Sequence, residues 1–338
     1  MSRRDWDEDD VRVRPNRRGS RPRSKDRPAH SDAEIALVTA VDRGRYTTLL
    51  EDDGDKRVVL AMKARELGRK GIVVGDRVGL VGDTGGGPDA LARIVRIQPR
   101  TSVLRRTADD TDPVERAIVA NVDQLVVVSA LADPEPRPRL IDRCLVAAYD
   151  AGLDPLLVLT KADLVDPAGF LANYAPLEVP YVVTSTEGSD FAGLESVREH
   201  LHDRVSVLVG HSGVGKSTLV NALVPQADRA TGAVNDVTGR GRHTSTSAAA
   251  LPLPDGGWVV DTPGIRSFGL AHVDLARIIV HFPDLEPGTE ECPRGCTHDE
   301  VDCALDDWVA SGKAGPAGPA RLDSLRRLLR TRSAQSGD

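Results

Sequence analysis

The sequence predicts a multidomain chain: a small β-barrel, then a parallel α/β sheet, then a mainly helical end carrying a metal-binding cluster. Three observations predict it. Between Glu34 and Gln98, short β-branched runs alternate with Gly and Asp turns. From Pro99 to Gly269, buried apolar runs alternate with amphipathic helices. Beyond Gly269, three of the chain's four cysteines fall between Cys292 and Cys303. Hydrophobic residues make up 40% of the 338 and aromatics only 3%, so the cores are expected to be aliphatic.

Residues 1–33 form a basic arm. The first thirty hold ten Lys or Arg against six acids, with Pro, Ser and Gly but few apolar side chains. Such a segment cannot bury enough apolar surface to fold, so disorder is expected. The arm is either a solvated tail or a binder of RNA phosphates. A net charge of −7 argues weakly against a nucleic-acid partner for the chain as a whole. From the charged N-terminus no signal peptide is expected, and no run approaches the ~20 apolar residues that span a bilayer. A cytoplasmic protein without a membrane partner is expected.

Residues 34–99 contain IALVTAV, YTTLLE, RVVLA, DRVGLVG and ALARIVRI, five short strands of a small barrel. MKARELG between the third and fourth reads as a helix, which gives an OB-fold. Tyr46 is its single aromatic residue, so contact with RNA through backbone or shape is expected rather than base stacking.

Residues 100–270 alternate strands and helices, the pattern of a parallel sheet covered on both faces. The strands are QLVVVSAL, PLLVLTKADL, VPYVVTST, RVSVLVG and GWVVDTPGI; RPRLIDRCLVAAYDAG, SDFAGLESVREHL and GKSTLVNALV read as helices. GHSGVGKS satisfies G-x-x-x-x-G-K-[ST] between a strand and a helix. Gly210, His211, Ser212, Gly213, Val214 and Gly215 would turn backbone N–H groups onto phosphates at the helix N-terminus. Lys216 would reach the β- and γ-phosphates, Ser217 would ligand Mg²⁺, and Thr218 follows in the first turn. In DTPG, Asp261 would hold Mg²⁺ through water, and the Gly264 amide would sense the γ-phosphate. Between these lies a Gly- and Thr-rich segment in which Thr244, Ser245 and Thr246 are candidate switch hydroxyls for Mg²⁺.

TKAD ends a buried strand, where ligand-binding loops of parallel sheets belong. Asp163 would accept hydrogen bonds from guanine N1 and N2, Lys161 would lie along the base, and Thr160 opens the tetrad. Ser185 and Thr186 of VVTST would form a second base-contacting loop. The order is base-reading, base-backing, phosphate, switch one, switch two. That is a GTPase circularly permuted, binding GTP and GDP. An ATP-using P-loop protein is the rival that TKAD argues against.

Residues 271–338 contain Cys292-x₃-Cys296-x-His298-x₄-Cys303. Three thiolates and an imidazole make a complete tetrahedral set for one structural Zn²⁺. His272 and His281 are more distant alternatives. Cys144, inside a helical pattern, is expected to pack in the core. The basic amphipathic RLDSLRRLLR would dock on the protein or on RNA, with packing favoured.

This arrangement resembles the RsgA (YjeQ) family of ribosome small-subunit-dependent GTPases. GDRV at Gly75, RTSVLRR at Arg100, ANVDQ at Ala120, LIDRCLVAA at Leu140, GHSGVGKSTLVNAL, GRHTST and DTPGIRSFGL carry the resemblance. It implies a monomeric GTP hydrolase, stimulated by the 30S subunit and its 16S rRNA, that acts late in subunit maturation. A nucleotide-gated RNA-binding checkpoint is the alternative within that setting. Three positions depart from the family pattern. Thr160 stands where Asn is usual, leaving guanine selectivity to rest mainly on Asp163. His243-Thr244-Ser245-Thr246 replaces His-Thr-Thr-Thr, and the first and last cysteine intervals are each one residue shorter. Ile265 follows DxxG where many GTPases place a water-orienting Gln. His243, beside the switch hydroxyls, is the catalytic candidate that the resemblance also implies.

Overall fold

The computed structural model describes residues 30–52, 55–68, 70–87, 90–107, 114–187, 190–225, 248–262, 270, 272–274 and 277–333. Residues from Ala33 onward form one compact unit.

Five strands build the barrel: β1 (Glu34–Asp42), β2 (Arg45–Asp52), β3 (Asp55–Lys63), β4 (Arg77–Gly82) and β5 (Ala92–Ile97). They run in the order β1-β2-β3-β5-β4, and β4 returns to pair with β1, so the sheet closes. β3 and β5 are parallel; the other pairs are antiparallel. Alternate side chains point inward, among them Val38, Val59, Ala61, Val78, Leu80 and Ile94. Tyr46 is one of these buried residues, so the barrel's single aromatic ring is unavailable for stacking on a base. The helix expected at MKARELG is not formed. Met62 and Lys63 extend β3 through pairing with β5, leaving only a 3₁₀ turn at Arg65–Leu67.

A hairpin that the sequence did not announce follows, β6 (Val103–Arg106) with β7 (Arg116–Ala120). The central sheet then begins with β8 (Gln124–Ala130), α1 (Pro138–Ala151) and β9 (Asp154–Thr160). A helical turn, α2 (Ala168–Leu171), leads to β10 (Tyr181–Val183) and a small hairpin of β11 (Ser185–Glu187) and β12 (Asp190–Ala192). α3 (Leu194–Leu201), β13 (Val205–Val209), α4 (Lys216–Leu223), β14 (Ala249–Pro252) and β15 (Trp258–Asp261) complete it. The helix expected from SDFA onward begins only at Leu194, because Gly193 has φ +80° and Asp190–Ala192 pairs as a strand.

The strand order is β10-β9-β8-β13-β15-β14, parallel except for β14. Every residue of central β8 is buried, as a strand covered on both faces requires. Leu125, Val127, Leu157 and Val207 face α1; Val126, Val128, Leu156 and Leu208 face α3 and α4. Cys144 on α1 is buried in the first of these layers, which pushes its thiol up to about 12.

Two features join barrel and sheet. β14 pairs with β1 at Ala249↔Ala40, so eleven strands form one hydrogen-bonded sheet. Beside it, Arg100 donates from Nε and Nη2 to the two carboxylate oxygens of fully buried Asp76, at 2.7 and 2.8 Å. Asn121 accepts from the Thr101 N–H and donates to the Gly75 carbonyl, both at 2.8 Å. Gly75, with φ +87°, leaves no room for a Cβ, which would lie 1.9 Å from the Ala120 carbonyl oxygen. GDRV, RTSV and ANVDQ thus meet in one joint.

The C-terminal region folds through 3₁₀ turns at Ile279–His281 and Glu286–Glu291 into α5 (Ala304–Ala310) and α6 (Gly318–Ser333). α6 buries Leu322, Leu325, Leu328 and Leu329, and four of its arginines face carboxylates of the same chain. Arg321 bonds Asp284 and Glu178, Arg326 bonds Asp306, Arg327 bonds Asp142, and Arg330 bonds Asp299. This helix packs on the protein.

Candidate nucleotide site and metal centre

The carboxyl ends of parallel strands share one edge, and four of them bring the predicted loops together there. β13 ends at Val209 and the chain turns through Gly210–Gly215 into α4, whose first residue is Lys216. Gly213 and Gly215 have φ of +86° and +89°, conformations that side-chain-bearing residues rarely adopt. Val214 is buried, while Ser212, Ser217 and Thr218 are exposed at the loop and the first turn of α4. His211 lies at the loop's start, with Nδ1 2.9 Å from the Ser212 carbonyl. Lys216 Nζ donates to Asp261 Oδ1 at the end of β15 and approaches the Thr262 carbonyl at 3.4 Å. The cation expected to reach the phosphates and the carboxylate expected to hold Mg²⁺ are therefore neighbours. Thr262 is fixed by its own hydroxyl, which donates to the Leu208 carbonyl at 2.7 Å.

TKAD leaves β9 two strands away from β13 in the sheet, yet it reaches the P-loop. Thr160 Oγ1 donates to the Val214 carbonyl at 2.6 Å. Lys161, at φ +60°, donates from Nζ to the Asp133 carbonyl. Asp163 is exposed at the same edge. Its loop is stitched to the end of β10 by Ala162 N–H donating to the Thr184 carbonyl at 3.1 Å. Ser185 and Thr186 follow at the start of β11, half-buried and exposed respectively, so both base-contacting candidates sit beside the tetrad. His243, Thr244, Ser245, Thr246, Gly264 and Ile265 lie outside the described residues.

One participant went unread in the sequence. The loop after β8, residues 131–137, supplies Asp133 to Lys161 and sets Pro134 against Gly213, its Cδ 3.5 Å from where a Cβ would project. No motif marks this loop; only its position at the carboxyl end of a central strand could have pointed to it.

Cys292, Cys296, His298 and Cys303 bring their ligand atoms within 4.8 Å of one another. Cys292 Sγ lies 3.9 Å from Cys303 Sγ and 3.6 Å from His298 Nδ1, and the latter is 3.9 Å from Cys303 Sγ. Ligands about 2.3 Å from a tetrahedral Zn²⁺ would be about 3.8 Å apart, so the set fits that ion. Burial raises the Cys296 and Cys303 thiols and lowers His298, so thiolates here call for a compensating cation. Glu300 braces the loop by accepting from the Thr297 N–H and hydroxyl, and Arg326 donates to the His298 carbonyl at 3.0 Å. The Thr297 bonds hold the Glu300 carboxyl down at about 2. The rival histidines are engaged elsewhere. His281 stacks on Tyr149 with centroids 4.3 Å apart, and His272 lines a separate cleft with Arg100, Arg105 and Arg277.

The RsgA GTPase family profile matches residues 97–271, just over half of the chain. The chain belongs to the RsgA GTPase family. A small ribosomal subunit biogenesis GTPase RsgA from Gemmatimonas aurantiaca is 40% identical over 260 residues, covering 76% of this chain and 83% of the relative. The protein of the same name from Pseudomonas syringae pv. tomato is 41% identical over 266 residues, 76% of this chain and 74% of its own. Among solved structures, YjeQ from Thermotoga maritima aligns with TM-score 0.62 and 26% identity, over 90% of this chain and 99% of that one. YloQ, described as a circularly permuted GTPase, shares the fold with TM-score 0.61 at 24% identity, over 92% and 100% of the two chains. The OB-fold barrel, permuted α/β domain and cysteine-bearing end of this RsgA-family chain are common to that architecture.

Proposed function

We propose that this protein hydrolyses GTP to GDP and phosphate in the maturation of the small ribosomal subunit, stimulated by that subunit and its 16S rRNA. The reading rests on one observation: a single sheet edge gathers a base-reading tetrad, a P-loop and the start of DTPG, in a chain whose relatives are named small ribosomal subunit biogenesis GTPases.

Each part has a chemical role. Asp163 accepts from guanine N1 and N2, flanked by Lys161 and by Ser185 and Thr186. The Gly210–Gly215 amides surround the phosphates, Lys216 neutralises charge developing on the β- and γ-oxygens, and Ser217 holds Mg²⁺. Asp261 supports the ion through water, with Thr244 or Ser245 completing it. Ile265 cannot orient water, so His243 takes that task. Zn²⁺ held by Cys292, Cys296, His298 and Cys303 supplies structure alone, since four protein ligands leave no open position. Residues 34–99 serve as the barrel, 100–270 as the GTPase domain and 271–338 as the zinc domain, acting as a monomer in the cytoplasm. Among the described residues no helix is long and apolar enough to cross a membrane.

The test is the GTPase rate with and without purified 30S subunits. Stimulation that disappears in His243→Ala, with nucleotide affinity kept, is expected. Equal stimulated turnover in wild type and variant would remove His243 from the mechanism, and no stimulation of wild type would remove the subunit as activator.

A further inference from the structure

Each barrel strand turns alternate side chains outward, and the outward face of β1, β2 and β3 is aliphatic. On β3, Val59 and Ala61 point into the core, while Val58, Leu60 and Met62 alternate with them and point out. Val58 stands opposite Leu49 on β2, and Leu49 stands opposite Leu37 on β1. Ile35 continues the outward row of β1. Val58, Met62 and Ile35 are 49%, 45% and 41% exposed, and Leu37, Leu49 and Leu60 are half-buried. A lone exposed aliphatic side chain is ordinary; six on one face of three paired strands form a patch. Its border is basic. Arg77 stands opposite Leu37, and Arg45 and Arg93 flank Met62 from the strands on either side. All three arginines are exposed, and none of them forms an ion pair among the described residues. Lys56 and Glu51, the other charges at this border, satisfy each other at 3.0 Å. The contrast is with α6, where four arginines are met by carboxylates of the chain itself.

Three kinds of partner could cover such a patch, and chemistry separates them. A second copy would bring the same arginines against these, and like charges across an interface repel. RNA would satisfy the arginines but not the centre, which offers no aromatic ring for a base and only aliphatic carbon to a phosphate. A polypeptide with an aliphatic stripe bordered by Asp or Glu satisfies both at once. We propose that the outward face of β1–β3 docks an acidic amphipathic segment of another protein. Its aliphatic stripe seats on Ile35, Val58 and Met62, and its carboxylates pair with Arg45, Arg77 and Arg93. The apolar centre supplies affinity, and the arginine border selects the sign of the partner's charge.

Two synthetic helical peptides test this, each carrying a leucine stripe along one face, one bordered by Glu and the other by Lys. Their dissociation constants for the full-length protein are read by fluorescence anisotropy at physiological salt, beside that of a labelled duplex RNA. The acidic peptide should bind at least about tenfold more tightly than the basic one. Val58→Asp and Met62→Asp should each weaken it about tenfold, as loss of a central anchor does. Both side chains are exposed, so the variants should fold; Met62→Gln, which keeps the length, serves if they do not. Arg45→Glu with Arg77→Glu should reverse the preference between the two peptides. Equal binding of the peptides, or binding of neither, would overturn the proposal. So would duplex RNA binding that Met62→Asp abolishes while the acidic peptide is unaffected, which would make this an RNA surface. Self-association of wild type in sedimentation that Val58→Asp abolishes would overturn it in favour of a second copy.

Discussion

Removing Arg100 tests the joint between barrel and central sheet. Asp76 is fully buried and receives three donors: Arg100 Nε at 2.7 Å, Arg100 Nη2 at 2.8 Å and the Val73 N–H at 2.8 Å. Arg100→Ala deletes two of them and strands a carboxylate away from water. Breaking a buried ion pair from one side costs about 3–5 kcal/mol. Arg100 is 24% exposed, so water can reach the gap and the lower end, about 3 kcal/mol, is expected. At ~2–4 °C per kcal/mol for a large domain, the Tm should fall by about 6–12 °C. Thermal and urea denaturation of the single and double variants provide the assay. Asp76→Asn with Arg100→Ala removes the stranded charge, so the double variant should be more stable than Arg100→Ala alone. The reasoning fails if Arg100→Ala costs less than about 1 kcal/mol, the value of a surface pair, or if the two substitutions simply add.

Three further outcomes are expected. Lys216→Ala should weaken GTP binding by more than about a hundredfold, because it removes the only cation that the P-loop itself contributes and leaves Asp261 without its counter-charge; fluorescence titration with a labelled GTP analogue reads this. Cys303→Ser should lower bound zinc below half an equivalent and loosen the contact of α6 with the metal loop, measured by metal analysis and hydrogen exchange at Arg326 and Arg330. Burial raises the Asp142 carboxyl above its ordinary value of 3.8, outweighing the attraction of Arg327. A raised folded value means that stability rises as pH falls through it, and the gain is complete below the unfolded value. Wild type should therefore gain on Asp142→Asn as pH falls from 7 toward 4. A constant difference across that range would contradict the assignment.

The sequence shows most clearly those elements whose chemistry is local. The P-loop, the tetrad and the cysteine cluster are each contiguous, and β8 reads as a strand from its unbroken apolar run. β14 was missed because it has four residues, AALP, and owes its strand state to pairing with β1 and β15 rather than to any pattern of its own. β6 and β7 were missed because only one of the four residues Val103–Arg106 is buried and its partner begins at Arg116. The contact of Thr160 with the Val214 carbonyl was not legible in the tetrad, because the two residues lie 54 positions apart. RLDSLRRLLR was expected to pack on the protein rather than on RNA, but the carboxylate partners of its arginines, spread from Asp142 to Asp306, could not be read from the sequence.

The single pairing of Ala40 with Ala249 has a consequence for how the chain can be cut. Ala249 also pairs with Asp261, so barrel, β14 and the DTPG strand lie in one row. A fragment that starts after the barrel would lose this pairing and leave Ala249, on the outer side of β14, without its partner from β1. In such an isolated GTPase domain the strand that begins just after the switch-one candidates would be held from one side only, by β15. The barrel is thus the selvedge of the GTPase sheet, the woven border without which the cloth unravels from the side where the nucleotide is sensed.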